Sequence, residues 1–143
     1  MEGFNFVVPV EVRFRDLDLL GHVNNAVIIT YLETARIRYR MALMETTSLA
    51  DVGLILAEVT CTYRSPAYYG EVLEVGVRVS EIGNKSFVME YRIEEQKTRR
   101  LVATARSVQV AYDYEHQQTV PLSDEFIARA EALEGRPLRR SAS

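Results

Sequence analysis

The order of its apolar periodicities limits this chain most: one strand-like stretch, one long helix-like stretch, then four strand-like stretches in a row. Residues 8–15 alternate, with Val10, Val12 and Phe14 on one side and Glu11, Arg13 and Arg15 on the other, the period of a half-buried strand. Past Gly21 the period becomes helical, carried by Ile28, Tyr31, Leu32, Ala35, Tyr39, Ala42 and Leu43, and either Asn24 or Asn25 can cap its start. Val27, Ile29, Ile37 and Met41 widen the apolar face and leave Glu33, Arg36 and Arg40 as a thin polar edge, so this helix needs wrapping. Residues 55–63, 72–82, 87–95 and 101–112 then read as strands, the middle two joined by a tight turn at Gly83-Asn84. This order excludes the βαβ alternation of a doubly wound fold. It predicts an α+β fold, an antiparallel five-stranded sheet curled around one long central helix.

Ala103, Ala105 and Ser107 put small side chains on one face of the last strand, where a helix or second sheet can approach closely. Residues 123–133 read as a terminal helix, capped by Ser123 or Asp124 and stopped by Gly135. We therefore expect one domain over residues 1–135 and a disordered tail over 136–143. Long edge strands in a soluble protein must be paired or covered, which points to a homodimer that continues the sheet between subunits.

Composition removes other classes. Hydrophobic residues at 48% of the chain suffice for a core, and a net charge of -3 argues against a general nucleic-acid binder, which needs many cations for phosphates. No run approaches the roughly 18 apolar residues of a membrane helix, so no membrane partner is expected. The single Cys61 excludes an intrachain disulfide framework and fits a reducing, cytoplasmic location; its place in mid-strand suits a buried, inert thiol better than a nucleophile.

The chain lacks a Gly-x-Ser-x-Gly elbow, a dinucleotide or phosphate-binding glycine loop and a Cys-x-x-Cys pair, and its two histidines, His22 and His116, stand far apart. The dense segment is 15–25, Arg-Asp-Leu-Asp-Leu-Leu-Gly-His-Val-Asn-Asn, between the first strand and the long helix. One reading is a strand-to-helix connection with polar caps. Another uses Asp16, Asp18 and His22 as metal ligands, but no further cluster at ligand spacing completes the set. A third is catalytic. Unpaired N–H groups and the positive dipole end at a helix start can hold an acyl carbonyl oxygen as it becomes an oxyanion, worth roughly 2.7–4 kcal/mol in a transition state. Asp18 would then act on the carbonyl carbon as general base for water or as nucleophile. A thiol leaves readily because its pKa is about 8.5, so this sparse set suffices for a thioester.

At these residues the chain resembles the 4-hydroxybenzoyl-CoA thioesterase-like acyl-CoA hydrolases of the hot-dog fold. The resemblance runs through RDLDLLGHVNNAVIITYLETAR, CTYRSPAYYGEVLEV and LVATARSVQVAYD, nearly the whole length. It implies that Asp18 is the catalytic carboxylate, that Gly21 shapes the turn and that the Asn25 backbone N–H forms the oxyanion hole, with His22 and Asn24 positioning Asp18 and the helix start. It implies an acyl-CoA substrate, no metal or redox cofactor, and a homodimer with sites at the subunit interface, often in a tetramer of two dimers. Ile28 stands where many relatives carry an aromatic residue and would shape the acyl pocket, while Arg64 and Pro66 would border the CoA groove. Arg64, Lys85, Arg99 and Arg100 are candidate partners for CoA phosphates. Two other readings keep the fold: an acyl-CoA or acyl-carrier binding module without turnover, and a dehydratase or hydratase using an acid and histidine as a pair.

Overall fold

The computed structural model describes residues 1–45 and 53–140. In chain order its elements are β1 (Phe6–Glu11), a 3-10 turn (Phe14–Asp16), α1 (Asn25–Met44), β2 (Leu54–Tyr63), β3 (Val72–Ile82), β4 (Ser86–Glu95), β5 (Leu101–Asp113), β6 (Gln118–Thr119) and α2 (Asp124–Glu134). The main sheet has the order β1-β3-β4-β5-β2, every neighbour antiparallel, and the two-residue β6 pairs with the end of β5.

This is the hot-dog arrangement: the sheet curls around α1, and the alternation of each strand decides which side chains meet the helix. On β3 the residues Leu73, Val75, Val77 and Val79 are fully buried, and on β4 so are Phe87, Met89 and Ile93. From α1 they receive Leu32, Ala35 and Tyr39, each at 0% exposure. Fully burying one such large apolar side chain contributes roughly 1.5–3 kcal/mol, so this layer is the main source of stability.

Four local expectations need correction. The first strand stops at Glu11, and Phe14 is 77% exposed instead of lying on its inner face. The cause is Asp16, whose carboxylate takes the Arg13 backbone N–H at 3.0 Å and its guanidinium at 2.9 Å, folding the chain into the 3-10 turn. On α1, Ala42 is exposed, whereas Arg36 is buried at 7% exposure instead of standing on a solvated edge. Cys61 is only half-buried, because β2 is an edge strand. Finally, the expected disordered tail is ordered over 136–140: Leu138 is buried, its carbonyl accepts the Ile82 N–H at 2.8 Å, and Arg140 N–H returns to Ile82 O at 2.9 Å. Residues 141–143 of that tail lie outside the described residues.

Both helix ends follow the sequence chemistry. The Asn24 side chain caps α1 by accepting the Ala26 N–H at 2.8 Å, and Ser123, rather than Asp124, caps α2. Among the described residues no helix is long and apolar enough to cross a membrane.

Candidate active site

The segment from Leu17 to Asn24 is a tight loop held at both ends. Leu17 and Val23 bridge across it, Asp18 N–H donates to His22 O at 2.9 Å, and Gly21 N–H donates to Asp18 O at 3.1 Å. Closing so short a loop requires a residue at positive φ, and Gly21 has φ +83°. The Asp18 side chain is fixed within this loop: Oδ1 accepts the Leu20 N–H at 2.8 Å, and Oδ2 lies 3.3 Å from His22 Nδ1. Both side chains remain partly exposed, Asp18 at 26% and His22 at 31%.

Two further bonds place the loop against the rest of the fold. Val23 N–H donates to Ala67 O at 2.8 Å, and Asn24 N–H donates to Asp16 O at 3.0 Å, so the chain enters α1 at a set angle. Asn25 is the first helical residue, and its N–H has no acceptor within the helix. The Asn24 side chain is occupied with Ala26, and among the described residues no acceptor takes the Asn25 N–H, which leaves it for an incoming oxygen. The Asn25 carbonyl is anchored from the far side by Tyr63 Oη, which donates to it at 2.9 Å.

A cleft of about 260 Å³ opens beside this helix start, with His22, Asn25 and Ile28 on one wall and Tyr63, Arg64 and Pro66 on the other. The structure thus brings together His22, Asn25, Ile28, Arg64 and Pro66. Asp18 is not itself a wall residue; it joins the cleft through His22. Gly21 and Asn24 shape the loop and the cap without lining the cleft. Sequence reading bypassed Ala67 and Val102, which also line it, since small or apolar residues at a strand end give no chemical signal.

Of the four candidate phosphate-binding cations, only Arg64 faces the cleft. Arg99 is taken by Glu74 at 2.7 Å, and Lys85 reaches Thr119 at the distant β3–β4 hairpin. Arg100 is committed to structure: it forks onto Glu71 at 2.8 and 2.9 Å and donates to Pro66 O at 2.9 Å and Ser65 Oγ at 3.2 Å. It braces the 65–66 segment that forms one cleft wall.

Asp16 is excluded from the chemistry for a comparable reason. Its buried carboxylate accepts Arg13 and, at 2.6 Å, the Tyr31 hydroxyl. Burial works against its charge, but the Arg13 and Tyr31 hydrogen bonds prevail and hold its pKa below the usual carboxylate value. Burial, and then the hydrogen bond to Asp16, push the Tyr31 hydroxyl up. Asp16 therefore does not join Asp18 and His22 in a ligand set. Among the described residues the group of three possible ligands within 4.8 Å is Asp113, Glu115 and His116, in the turn after β5. None of them lines the cleft. Burial raises the Cys61 thiol pKa, which keeps it protonated and a poor nucleophile.

Comparison with known proteins gives consistent matches. The family model of the thioesterase-like superfamily matches residues 12–130. A solved thioesterase from Thermus thermophilus, complexed with coenzyme A and Zn, is 39% identical, covers 96% of this chain and 100% of its own, and superposes with a TM-score of 0.87. The uncharacterised protein YsmA of Bacillus subtilis (strain 168) is 29% identical over 86% of this chain and 83% of its own. The long-chain acyl-CoA thioesterase FadM of Escherichia coli (strain K12) is 24% identical over 87% and 96%.

Proposed function

Since this chain belongs to the thioesterase-like superfamily and is a thioester hydrolase, we propose that it cleaves an acyl-CoA to the free acid and CoA, with Asp18 as its catalytic carboxylate. The observation that carries this reading is the junction at α1. A partly exposed carboxylate, fixed by Leu20 N–H and His22, stands beside a helix start whose first N–H is open and faces a cleft. The likeness to a relative named as a CoA complex and to one named as an acyl-CoA thioesterase supports the substrate class.

In this reading the acyl carbonyl oxygen lies against the Asn25 N–H, where the helix dipole and an unshared donor favour negative charge. As general base, Asp18 takes a proton from water while the water oxygen bonds to the carbonyl carbon. The tetrahedral oxyanion collapses, the C–S bond breaks, and CoA leaves as a thiolate that takes a proton. His22, at 3.3 Å, aligns the carboxylate. As nucleophile, Asp18 would instead form a mixed anhydride that water then opens. Arg64 meets the CoA phosphates at the outer wall and Ile28 borders the acyl group.

We place the active unit in a homodimer. β2 is a ten-residue edge strand with a single charged residue, Glu58, and with Ile55 and Leu56 exposed. An edge of that kind is ready to pair with its own copy. Two such dimers would make the tetramer, and the lone cysteine suits the cytoplasm.

The contact of Asp18 with His22 is also the pairing a hydratase needs, so the test separates the two chemistries. Purified protein is given saturated and enoyl acyl-CoA substrates of short, long and aromatic types, and free thiol is followed beside loss of the enoyl absorbance. Thiol release supports hydrolysis. Hydration of the double bond without thiol release, or saturable binding with neither, contradicts it.

A further inference from the structure

The flank of α1 turned toward β5 and β2 carries Ile29, Arg36 and Arg40, given 100° per residue along a helix whose centre line is Leu32, Ala35 and Tyr39. Opposite it, Cys61 and Val59 of β2 stand level with Ala105 and Ser107 of β5. Tyr63 Oη ties this seam to Asn25 O at one end, and near the other Tyr114, just past β5, donates its hydroxyl to Leu54 O of β2 at 3.0 Å. Between the two ties Ile29, Val59, Cys61 and Ala105 are only half-buried. The seam is thus a half-covered apolar strip of mostly small side chains that begins beside Tyr63, a wall of the cleft.

Arg36 stands on the helix side of that strip. Helical side chains lean toward the N-terminus, which brings its guanidinium back toward Glu33, where Nη2 meets Oε2 at 3.4 Å. The residue is only 7% exposed, yet among the described residues Nη1 has no hydrogen-bond partner, and Glu33 is 57% exposed. The guanidinium lies against Tyr91, whose hydroxyl is engaged with Ser107 at 2.6 Å, and the neighbouring Gln109 amide finds only the Met89 sulfur at 3.0 Å. In this buried polar nest Arg36 Nη1 is the side-chain atom left without a partner among the described residues. An unpartnered buried donor carries its full desolvation cost, and more so on a cation. Arg40, one turn further, is also half-buried, and burial lowers its pKa to about 10. Two cations thus sit in buried or half-buried places on this flank of α1.

We propose that Arg36 determines acyl specificity: the acyl group leaves the cleft along this half-covered strip and places an acceptor, foremost a carboxylate, against the unpartnered Arg36 nitrogen. This rests on the thioesterase reading above. From Asn25 to the level of the guanidinium is about eight residues, or about 12 Å at the helical rise, which suits acyl chains of roughly six to ten carbons.

The experiment compares kcat/KM for pairs of acyl-CoA substrates of equal length ending in a carboxylate or in a methyl group. Wild type should favour the carboxylate-ended member at least tenfold, and Arg36→Met should abolish or invert that ratio. Arg36→Lys, which keeps a cation without the fork, should lower it several-fold and serves where the Met variant does not fold. Calorimetry of the same pairs on Asp18→Asn and Asp18→Asn/Arg36→Met proteins reads the tail preference without turnover. Absence of thiol release from every substrate would then sink the thioesterase reading while the calorimetry still decides this one. A ratio near one in wild type, or one unmoved by either Arg36 variant, overturns the proposal. So does a ratio unmoved by Arg36→Met while sedimentation shows weakened subunit association, since the missing acceptor would then belong to a second copy.

Discussion

Asp16 and Asp18 are two residues apart and chemically identical, yet the fold gives them opposite tasks. Asp16 is buried at 2% exposure and surrounded by donors, while Asp18 keeps 26% of its side chain exposed and faces His22. The motif could be read from sequence as a site, but the division of labour could not, since it depends on Tyr31 reaching back from α1. Asp16→Asn should cost roughly 2 kcal/mol in urea unfolding, the value of charge-assisted hydrogen bonds lost from a buried site. The sign with pH follows from the lowered Asp16 pKa. Its stabilisation is complete above the ordinary carboxylate value of about 3.9 and fades as pH falls through the lower, folded value. Wild type should lose stability relative to Asp16→Asn below about pH 4, and parallel pH curves for the two would refute the latch. His22→Gln keeps a polar side chain at the cleft; if His22 only aligns Asp18, kcat should fall about tenfold or less, with KM for acyl-CoA little changed.

At the scale of elements, the strands and helices were legible because each long element has one dominant period. The boundaries of β3 could be read directly from its alternation, and residue type narrowed the caps to Asn24 or Asn25 and to Ser123 or Asp124, of which the fold uses Asn24 and Ser123. What periodicity could not show was where long-range bonds override it. The end of β1 is set by Asp16, and the order of residues 136–140 is set by Ile82, whose backbone groups pair with Leu138 and Arg140. Arg36 was misplaced for a related reason: a polar residue on a helix flank looks solvated until the strand it faces is known. The Gly21 loop shows the reverse, since a positive φ there was foreseeable from its turn role. A Cβ at Gly21 meets nothing within 4 Å, so Gly21→Ala should cause backbone strain alone, about 1–2 kcal/mol. Because that strain acts on the loop bearing Asp18, kcat should drop more than thermal stability does; an unchanged kcat would show that the loop geometry is not needed for turnover.

For the whole molecule, the strand order matters most, because it leaves β2 at the edge with its inner face beside α1 and its outer side unpaired. The expectation of a homodimer came from the long edge strands any such sheet leaves and from family resemblance, and the β2 edge opens it to a direct check. Leu56→Lys puts a charge on an exposed position of β2. If β2 pairs with its copy, sedimentation velocity should show the variant as a monomer where wild type is a dimer, and turnover should fall with dissociation. A Leu56→Lys protein that sediments as wild type would mean that the subunits meet elsewhere.

Turnover as proposed depends on the Asp18 carboxylate acting on a thioester held at the start of α1. Its most direct measurement is the rate of thiol release by Asp18→Asn on the best acyl-CoA substrate, with near-ultraviolet circular dichroism and CoA binding recorded on the same sample. The substitution keeps the shape and the Leu20 hydrogen bond but removes the charge, so kcat should fall by about 10²–10⁴-fold with fold and CoA affinity retained. A folded Asp18→Asn enzyme that still releases thiol at the wild-type rate would contradict the account.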